Sequence, residues 1–296
     1  MLAPTAGPRL PAWAAKKRGI LREARPLRRI LRELKLTTVC EAARCPNIGE
    51  CFARPTATFM IAGDRCTRRC GFCAVDTRKP GPLDADEPAR IGEAALRMGL
   101  RHVVITAVAR DDLADGGAAH FAATILAVRA AAPTARIEVL TPDFKDQEAP
   151  LRTVLAAAPD VFNHNLETVA RLSPSVRPQA GYQRSLRVLA EAKRLRPAGT
   201  TKSGLMVGLG ETPDEIHAAM ADLRAADCDL LTIGQYLQPT REHLPVLDYV
   251  SPETFAAYAR VGRGLGFRNV ASGPFVRSSY HAEETFNEAV PVTEAS

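Results

Sequence analysis

No apolar run in this chain approaches membrane-spanning length, so no transmembrane segment and no membrane partner are expected. Aromatic residues are scarce, at 5%, and the one strongly basic stretch lacks interleaved aromatics and any recognised nucleic-acid module. A nucleic-acid partner is therefore not expected. The same stretch, residues 1–35, contains no serine, which argues against an Arg- and Ser-rich transit peptide. Export is not signalled either, and the seven cysteines are an odd number. A secreted disulfide framework is thereby disfavoured, and a reducing, cytoplasmic compartment is the expectation.

The charge that is present is concentrated. Lys and Arg total 39 against 33 Asp and Glu, a net +6. Residues 1–35 alone hold ten Lys or Arg against two Glu, a net +8, which leaves −2 over the other 261 residues. Basic character thus belongs to the N-terminal arm. It reads either as a solvated helix face or as a docking surface for an acidic protein, where rim charges mainly raise association rates. Hydrophobic content of 46% in 296 residues suits one large domain or two ordinary ones.

Six of the seven cysteines fall within 34 positions. Cys66, Cys70 and Cys73 form a C-x3-C-x2-C loop, and the preceding run 56–62 reads as a buried strand that ends where the loop begins. Three thiolates suit an iron–sulfur cube with one iron left open, and an incomplete coordination sphere marks a reactive site. Zinc fits poorly, because tetrahedral sites need four ligands and usually pair two C-x2-C knuckles. Upstream, Cys40, Cys45 and Cys51 form C-x4-C-x5-C, a second group one thiolate short of four. Clustering this dense points to metal ligation. The remaining Cys228 reads as a buried structural thiol.

From the first loop onward, short apolar strands alternate with amphipathic helices. Strands are expected at 57–61, 102–106, 136–140, 161–165, 204–207 and 230–234, with helices near 87–98, 117–131, 147–157, 181–195, 212–225 and 252–265. Thr212-Pro-Asp-Glu and Ser251-Pro-Glu-Thr are helix-start signals. Six β–α units predict an α/β fold with a parallel sheet and right-handed crossovers, whose ligands sit beyond the carboxyl ends of the strands. Polar residues gather there: Thr106, the run Asn163-His-Asn-Leu-Glu167, Lys202, Gly208 to Glu211, and Gln235 to Gln238. His164 alone reads as a packed, hydrogen-bonded side chain, and Gly208-Leu-Gly210 is no nucleotide fingerprint. Residues 288–296 read as a frayed tail.

The C-x3-C-x2-C spacing resembles the signature of the radical S-adenosylmethionine (SAM) superfamily. The runs 41–51, 56–60, 163–168, 201–206 and 273–281, the last reading Gly-Pro-Phe-Val-Arg-Ser-Ser-Tyr-His, narrow it to the lipoyl synthase family. The similarity runs from about Pro11 to about His281. It implies a partial (β/α)6 TIM-like barrel over 55–270, an N-terminal arm and auxiliary-cluster extension over 1–54, and a C-terminal extension over 271–296. It also implies two 4Fe–4S clusters and SAM as cofactors. One cluster, on Cys66, Cys70 and Cys73, would chelate SAM and cleave it to a 5′-deoxyadenosyl radical. That radical takes hydrogen from carbons 6 and 8 of an octanoyl chain on a carrier-protein lysine, since unactivated C–H bonds yield to no side-chain acid or base. The other cluster, on Cys40, Cys45, Cys51 and Ser279, with Ser278 the less favoured alternative, would donate sulfur and be consumed.

For SAM the resemblance carries over Thr106, Asn165, Glu167, Lys202, Met206, Gly208 and Glu211. Arg177 and Arg184 stand between substrate contact and a solvated helix start. Implied partners are octanoylated lipoyl-carrier proteins (a glycine-cleavage H protein or lipoyl domains of 2-oxoacid dehydrogenases), a low-potential electron donor and an iron–sulfur carrier. Ala107 and Ala109 stand where the family usually has serine and aspartate, Pro55 where it has glycine, and Phe52 where it has tryptophan. These differences put contacts at the second strand end in question. Two competing readings are a sulfur-inserting enzyme of the biotin synthase kind and a two-cluster electron carrier. The upstream triplet and Arg277-Ser-Ser-Tyr280 speak against the first. Ferredoxin-type carriers saturate each cluster with four cysteines, which speaks against the second.

Overall fold

A computed structural model describes residues 8–14, 25–43, 45, 47–53 and 58–287. Pro55, the run Lys16-Lys-Arg18 and the stretch 288–296 lie outside the described residues. Eight strands form one sheet in strict chain order: β1 Thr37–Thr38, β2 Thr58–Ile61, β3 His102–Ala107, β4 Arg136–Leu140, β5 Val161–Asn163, β6 Thr200–Val207, β7 Leu230–Gln235 and β8 Asn269–Gly273. β1 runs antiparallel to β2, with Thr37 opposite Met60, and every later pairing is parallel. A parallel order that never reverses has no switch point, so the crossovers all fall on one side and the sheet curls as a barrel does. Its edges are β1 and β8, so the barrel stays open.

The helices are α1 Arg25–Glu33, α2 Val39–Ala42, α3 Ile48–Ala53, α4 Glu87–Arg97, α5 Ala118–Ala131, α6 Glu148–Ala156, α7 Ser173–Val176, α8 Tyr182–Leu195, α9 Pro213–Ala225, α10 Pro252–Gly264 and α11 Ala282–Asn287. The start signals act as the sequence indicates. Thr212 and Glu215 close a reciprocal capping box on α9, and the Ser251 side chain accepts from the Thr254 N–H at the head of α10. The six expected strands are β2 to β7, and the six expected helices are α4, α5, α6, α8, α9 and α10.

Two strands go beyond that pattern. β1 has only two residues. β8 contains one large apolar side chain, Val270, and crosses the expected domain boundary after residue 270. β6 begins four residues earlier than its apolar run: Thr200, Thr201 and Lys202 pair with β5, and the buried side chains of Thr201, Lys202 and Ser203 are hydrogen-bonded. Leu27 and Leu31 of α1, with Leu34 just beyond it, bury one stripe against the core, roughly 1.5–3 kcal/mol for each side chain taken out of water. Arg29 on the opposite side is exposed and bonded to Glu33 one turn on. The described part of the basic arm is thus a docked amphipathic helix with a solvated charged face.

Candidate active site

One cavity of about 510 Å³ lies at the carboxyl ends of the parallel strands and collects residues from nearly every β–α turn. The loop after β2 supplies Cys66, Cys70 and Cys73 to its wall. This loop is held by backbone. Cys66 N–H donates to Asp76 O at 2.7 Å, Gly71 N–H to Val176 O at 2.9 Å, and Leu244 N–H to Gly71 O at 3.0 Å. Gly71 suits that close approach, since a Cβ there would lie 2.8 Å from Leu244 Cγ and the leucine side chain would have to shift. Cys66 Sγ accepts from the N–H groups of Arg68 at 3.4 Å and Ala109 at 3.3 Å.

Arg68, between the first two cysteines, is 6% exposed. Its guanidinium grips Asp111 through two bonds of 2.7 and 2.8 Å and Asp143 through one of 2.6 Å. The loop is thereby fastened to the ends of β3 and β4. Arg184 reaches the other oxygen of Asp143 at 3.3 Å, which gives it a structural partner. Ala109 contributes backbone: its carbonyl accepts from the N–H and hydroxyl of Thr67, and its N–H faces Cys66 Sγ. A side chain at 109 is not what holds the loop.

The second triplet divides. Cys40, at the start of α2, and Cys45 line the main cavity, whereas Cys51 on α3 lines an adjoining cavity of about 260 Å³. Arg277, Ser278 and Ser279 enter the main cavity from the C-terminal segment. Ser278 bonds Asn165 Nδ2 at 2.7 Å, so the two serines differ in that one is already engaged. No cysteine is in a disulfide. Among the described residues no three His, Cys, Asp or Glu side chains converge on a site for a single metal ion.

Burial pushes the thiols of Cys40 and Cys70 up to about 12, with neighbouring cysteines adding to it, and that of Cys73 up to about 11. Thiolates so enclosed need a cation to offset their charge, which a coordinating metal supplies by deprotonating the thiol outright. Soft thiol donors of this kind suit iron–sulfur ligation. In chemistry the donor set fits the clusters that the spacing suggests.

Of the residues expected to contact SAM, Thr106, Asn165, Glu167 and Met206 line the cavity. Thr106 Oγ1 donates to Leu140 O at 3.0 Å, and Asn165 Nδ2 donates to Glu167 Oε1 at 3.1 Å. Glu167 sits at φ +68°, an uncommon conformation for a residue with a side chain. Burial raises its carboxyl, and the Arg177 charge works against that rise. Arg177 lines the cavity and donates to the carbonyls of Asn165 and Leu166 at 2.9 and 2.8 Å.

Lys202, Gly208 and Glu211 do not line it. Lys202, 1% exposed, bonds both oxygens of Glu138 at 2.9 and 3.0 Å within the barrel. Glu211 accepts from the N–H groups of Gly208 and Leu209 and so caps its own turn. Gly208 has φ +104°, and a Cβ there would lie 2.6 Å from Asp248 O. His164 is packed as expected, bonded to Thr141 O and Ser185 Oγ at 2.9 Å each. Burial and Arg177 push its imidazole down to about 4, so it is neutral near pH 7. Its Nδ1–H donates to the carbonyl, and Nε2 accepts from the hydroxyl.

Cys228 is fully buried, again as expected, with Sγ directed at Leu230 O. Sequence reasoning missed Asp143 and Arg68, although paired arginines between two cysteines are a visible signal. It also passed over His243, in the loop after β7, whose Nε2 bonds Cys73 O at 3.1 Å.

A family model described as the radical SAM superfamily matches residues 60–223. A lipoyl synthase of Rubrobacter xylanophilus is 58% identical over 265 residues, covering 90% of this chain and 83% of the relative. That of Caldanaerobacter subterraneus subsp. tengcongensis is 55% identical over 275 residues, covering 93% and 96%. The Thermus thermophilus lipoyl synthase is 56% identical over 281 residues, covering 94% and 87%. Among solved structures, methylornithine synthase superposes with a TM-score of 0.55 at 15% identity, covering 81% of this chain and 73% of the other. A maturase of the FeFe-hydrogenase gives 0.53 at 16%, covering 92% and 72%. Those structures share the fold. On its sequence, this chain belongs to the lipoyl synthase family within the radical SAM superfamily.

Proposed function

We propose that this chain is a lipoyl synthase that inserts two sulfur atoms, at C6 and C8, into a protein-bound octanoyl-lysine. The observation that carries the reading is the single cavity shared by Cys66, Cys70 and Cys73, by Cys40 and Cys45, and by Ser279. In this reading the first three hold one 4Fe–4S cluster, and the last three with Cys51 hold the second. When bound, the clusters and SAM supply the radical and the sulfur that no side chain can provide. The protein's part is placement. Arg68 fixes the first cluster's loop to two strand ends, while Thr106, Asn165, Glu167 and Met206 offer polar and apolar contacts to SAM. Lys202 pairs with Glu138 inside the barrel, and Glu211 caps the turn after β6 at Gly208.

The carrier is an octanoylated lipoyl-carrier protein, such as a glycine-cleavage H protein or a lipoyl domain of a 2-oxoacid dehydrogenase. The reaction also calls for a low-potential electron donor and an iron–sulfur carrier that rebuilds the sulfur-donating cluster. We place the enzyme in the cytoplasm; among the described residues no helix is long and apolar enough to cross a membrane. Residues 1–54 and 271–296 serve as extensions that build the second cluster site on the barrel of 55–270.

The test is anaerobic reconstitution with iron and sulfide counting, for which two cubes predict about eight of each per chain. That protein is then mixed with SAM, dithionite and an octanoyl-lysine peptide. Formation of 5′-deoxyadenosine together with lipoyl-lysine is the expected result; 5′-deoxyadenosine with no lipoyl product refutes sulfur insertion.

A further inference from the structure

Glu50 and Asn47, at the head of α3, reach across more than 220 residues of sequence to the C-terminal segment. Asn47 Nδ2 donates to Phe275 O at 2.7 Å. Glu50 Oε1 accepts from Tyr280 Oη at 2.8 Å and bonds His281 Nε2 at 3.3 Å. The Tyr280 and His281 rings lie 4.1 Å apart, and His281 is held at φ +52°, with its Nδ1 bonded to Glu284. A side-chain-bearing residue keeps so sparsely populated a conformation only where its surroundings over-determine it. Glu50 directly precedes Cys51, and Tyr280 directly follows Ser279. The contact therefore joins, within one residue on either side, two ligands proposed for the sulfur-donating cluster that lie 228 residues apart in the chain.

We propose that Glu50 is a positioning residue for that cluster. Its carboxylate clasps Tyr280 and His281, and so sets the Ser279 oxygen in register with Cys40, Cys45 and Cys51, with Asn47 as the second point of attachment. The inference rests on the reading of Cys40, Cys45, Cys51 and Ser279 as one ligand set. Serine oxygen is a harder and less tenacious ligand for iron than a thiolate, so its contribution depends on being held in place. The cysteine side of the site has no such need, because three thiolates bind strongly wherever they can converge. The clasp thus matters most for the weakest ligand.

The experiment counts iron per chain in anaerobically reconstituted holoprotein after gel filtration, alongside Mössbauer spectra and the response of the electron paramagnetic resonance signal to SAM. Wild type should hold about eight irons per chain and Glu50→Ala about four, the remaining cluster still responding to SAM. Glu50→Gln, whose amide oxygen still accepts from Tyr280, should retain more iron than Glu50→Ala. Tyr280→Phe, a milder change that removes one hydroxyl, should alter the Mössbauer signature of a single iron site. A Glu50→Ala protein with about eight irons and an unaltered spectrum overturns the clasp. So does loss of both clusters together in Glu50→Ala and Tyr280→Phe, because a general structural role predicts that pattern. A wild-type chain with only about four irons overturns the two-cluster reading, and the inference falls with it.

Discussion

Asp143 shows how much one buried residue at this site is asked to do. Its side chain is 0% exposed, and burial alone would raise its carboxyl, yet the hydrogen bonds and charge of Arg68 hold it at about 2. An unfolded aspartate titrates near about 3.9. With the folded value the lower of the two, the stabilisation is complete above about pH 4 and is lost as pH falls through about 2. Asp143→Asn should therefore destabilise the cluster-free chain most near neutrality, and the deficit should shrink between about pH 4 and about pH 2. Urea midpoints of both proteins across that window check it; a deficit that does not change with pH would show that Arg68 is not the cause. At Ser279 the exchange of oxygen for sulfur is the informative change. Ser279→Cys should leave iron content intact while blocking the second sulfur transfer, because a thiolate releases iron less readily. Full lipoyl product from that variant, quantified by mass spectrometry, would count against serine release. The cysteines and Ser279 were legible from spacing and resemblance. Asp143 was not, since a lone aspartate after Thr141-Pro142 carries no signal until the fold brings Arg68 to it.

At the level of elements, β4 and β6 are joined across β5 by Lys202 and Glu138, each 1% exposed, with His102 and Asn163 completing the set around Glu138. Burial would raise Glu138, but the Lys202 charge and the His102 contact bring it down to about 2. Removing one partner of such a pair strands a buried charge. Lys202→Met should cost about 3–5 kcal/mol, whereas Lys202→Met with Glu138→Met should recover most of it. A double-mutant cycle by chemical denaturation measures the coupling, and additivity would show that the two are independent. This network also explains where strand reading failed. Apolar periodicity found β2 to β5 and β7 nearly to the residue, but it began β6 at Gly204 because Thr200 to Ser203 look like loop when judged by hydropathy. β8 escaped for a related reason: Asn269, Ala271, Ser272 and Gly273 are small or polar, and the strand is specified by pairing with β7. Gly204 has a reason visible only in the fold. A Cβ there would lie 2.8 Å from Thr232 Oγ1 and 2.9 Å from Asn165 Oδ1.

For the whole molecule, singly wound order and an open barrel leave room for segments before β2 and after β8 to reach the same cavity. The helical arm docks through its leucine stripe. The 3₁₀ turn Ala12–Ala14 brings the one tryptophan, Trp13, edge-on to Tyr249 in the loop after β7, with ring centroids 6.4 Å apart. One loop of the barrel carries Cys66, Cys70 and Cys73 within eight residues. Cys40, Cys45, Cys51 and Ser279 instead bracket the barrel, separated by more than 220 residues. That separation has a consequence during synthesis. A nascent chain carries the three cysteines of each group once residue 73 has emerged, but the serine proposed as the second group's fourth ligand follows only after 206 more residues have been added. On the proposed ligand sets, the radical-forming site therefore has its protein ligands first, and the sulfur-donating site is completed only when the C-terminal segment arrives.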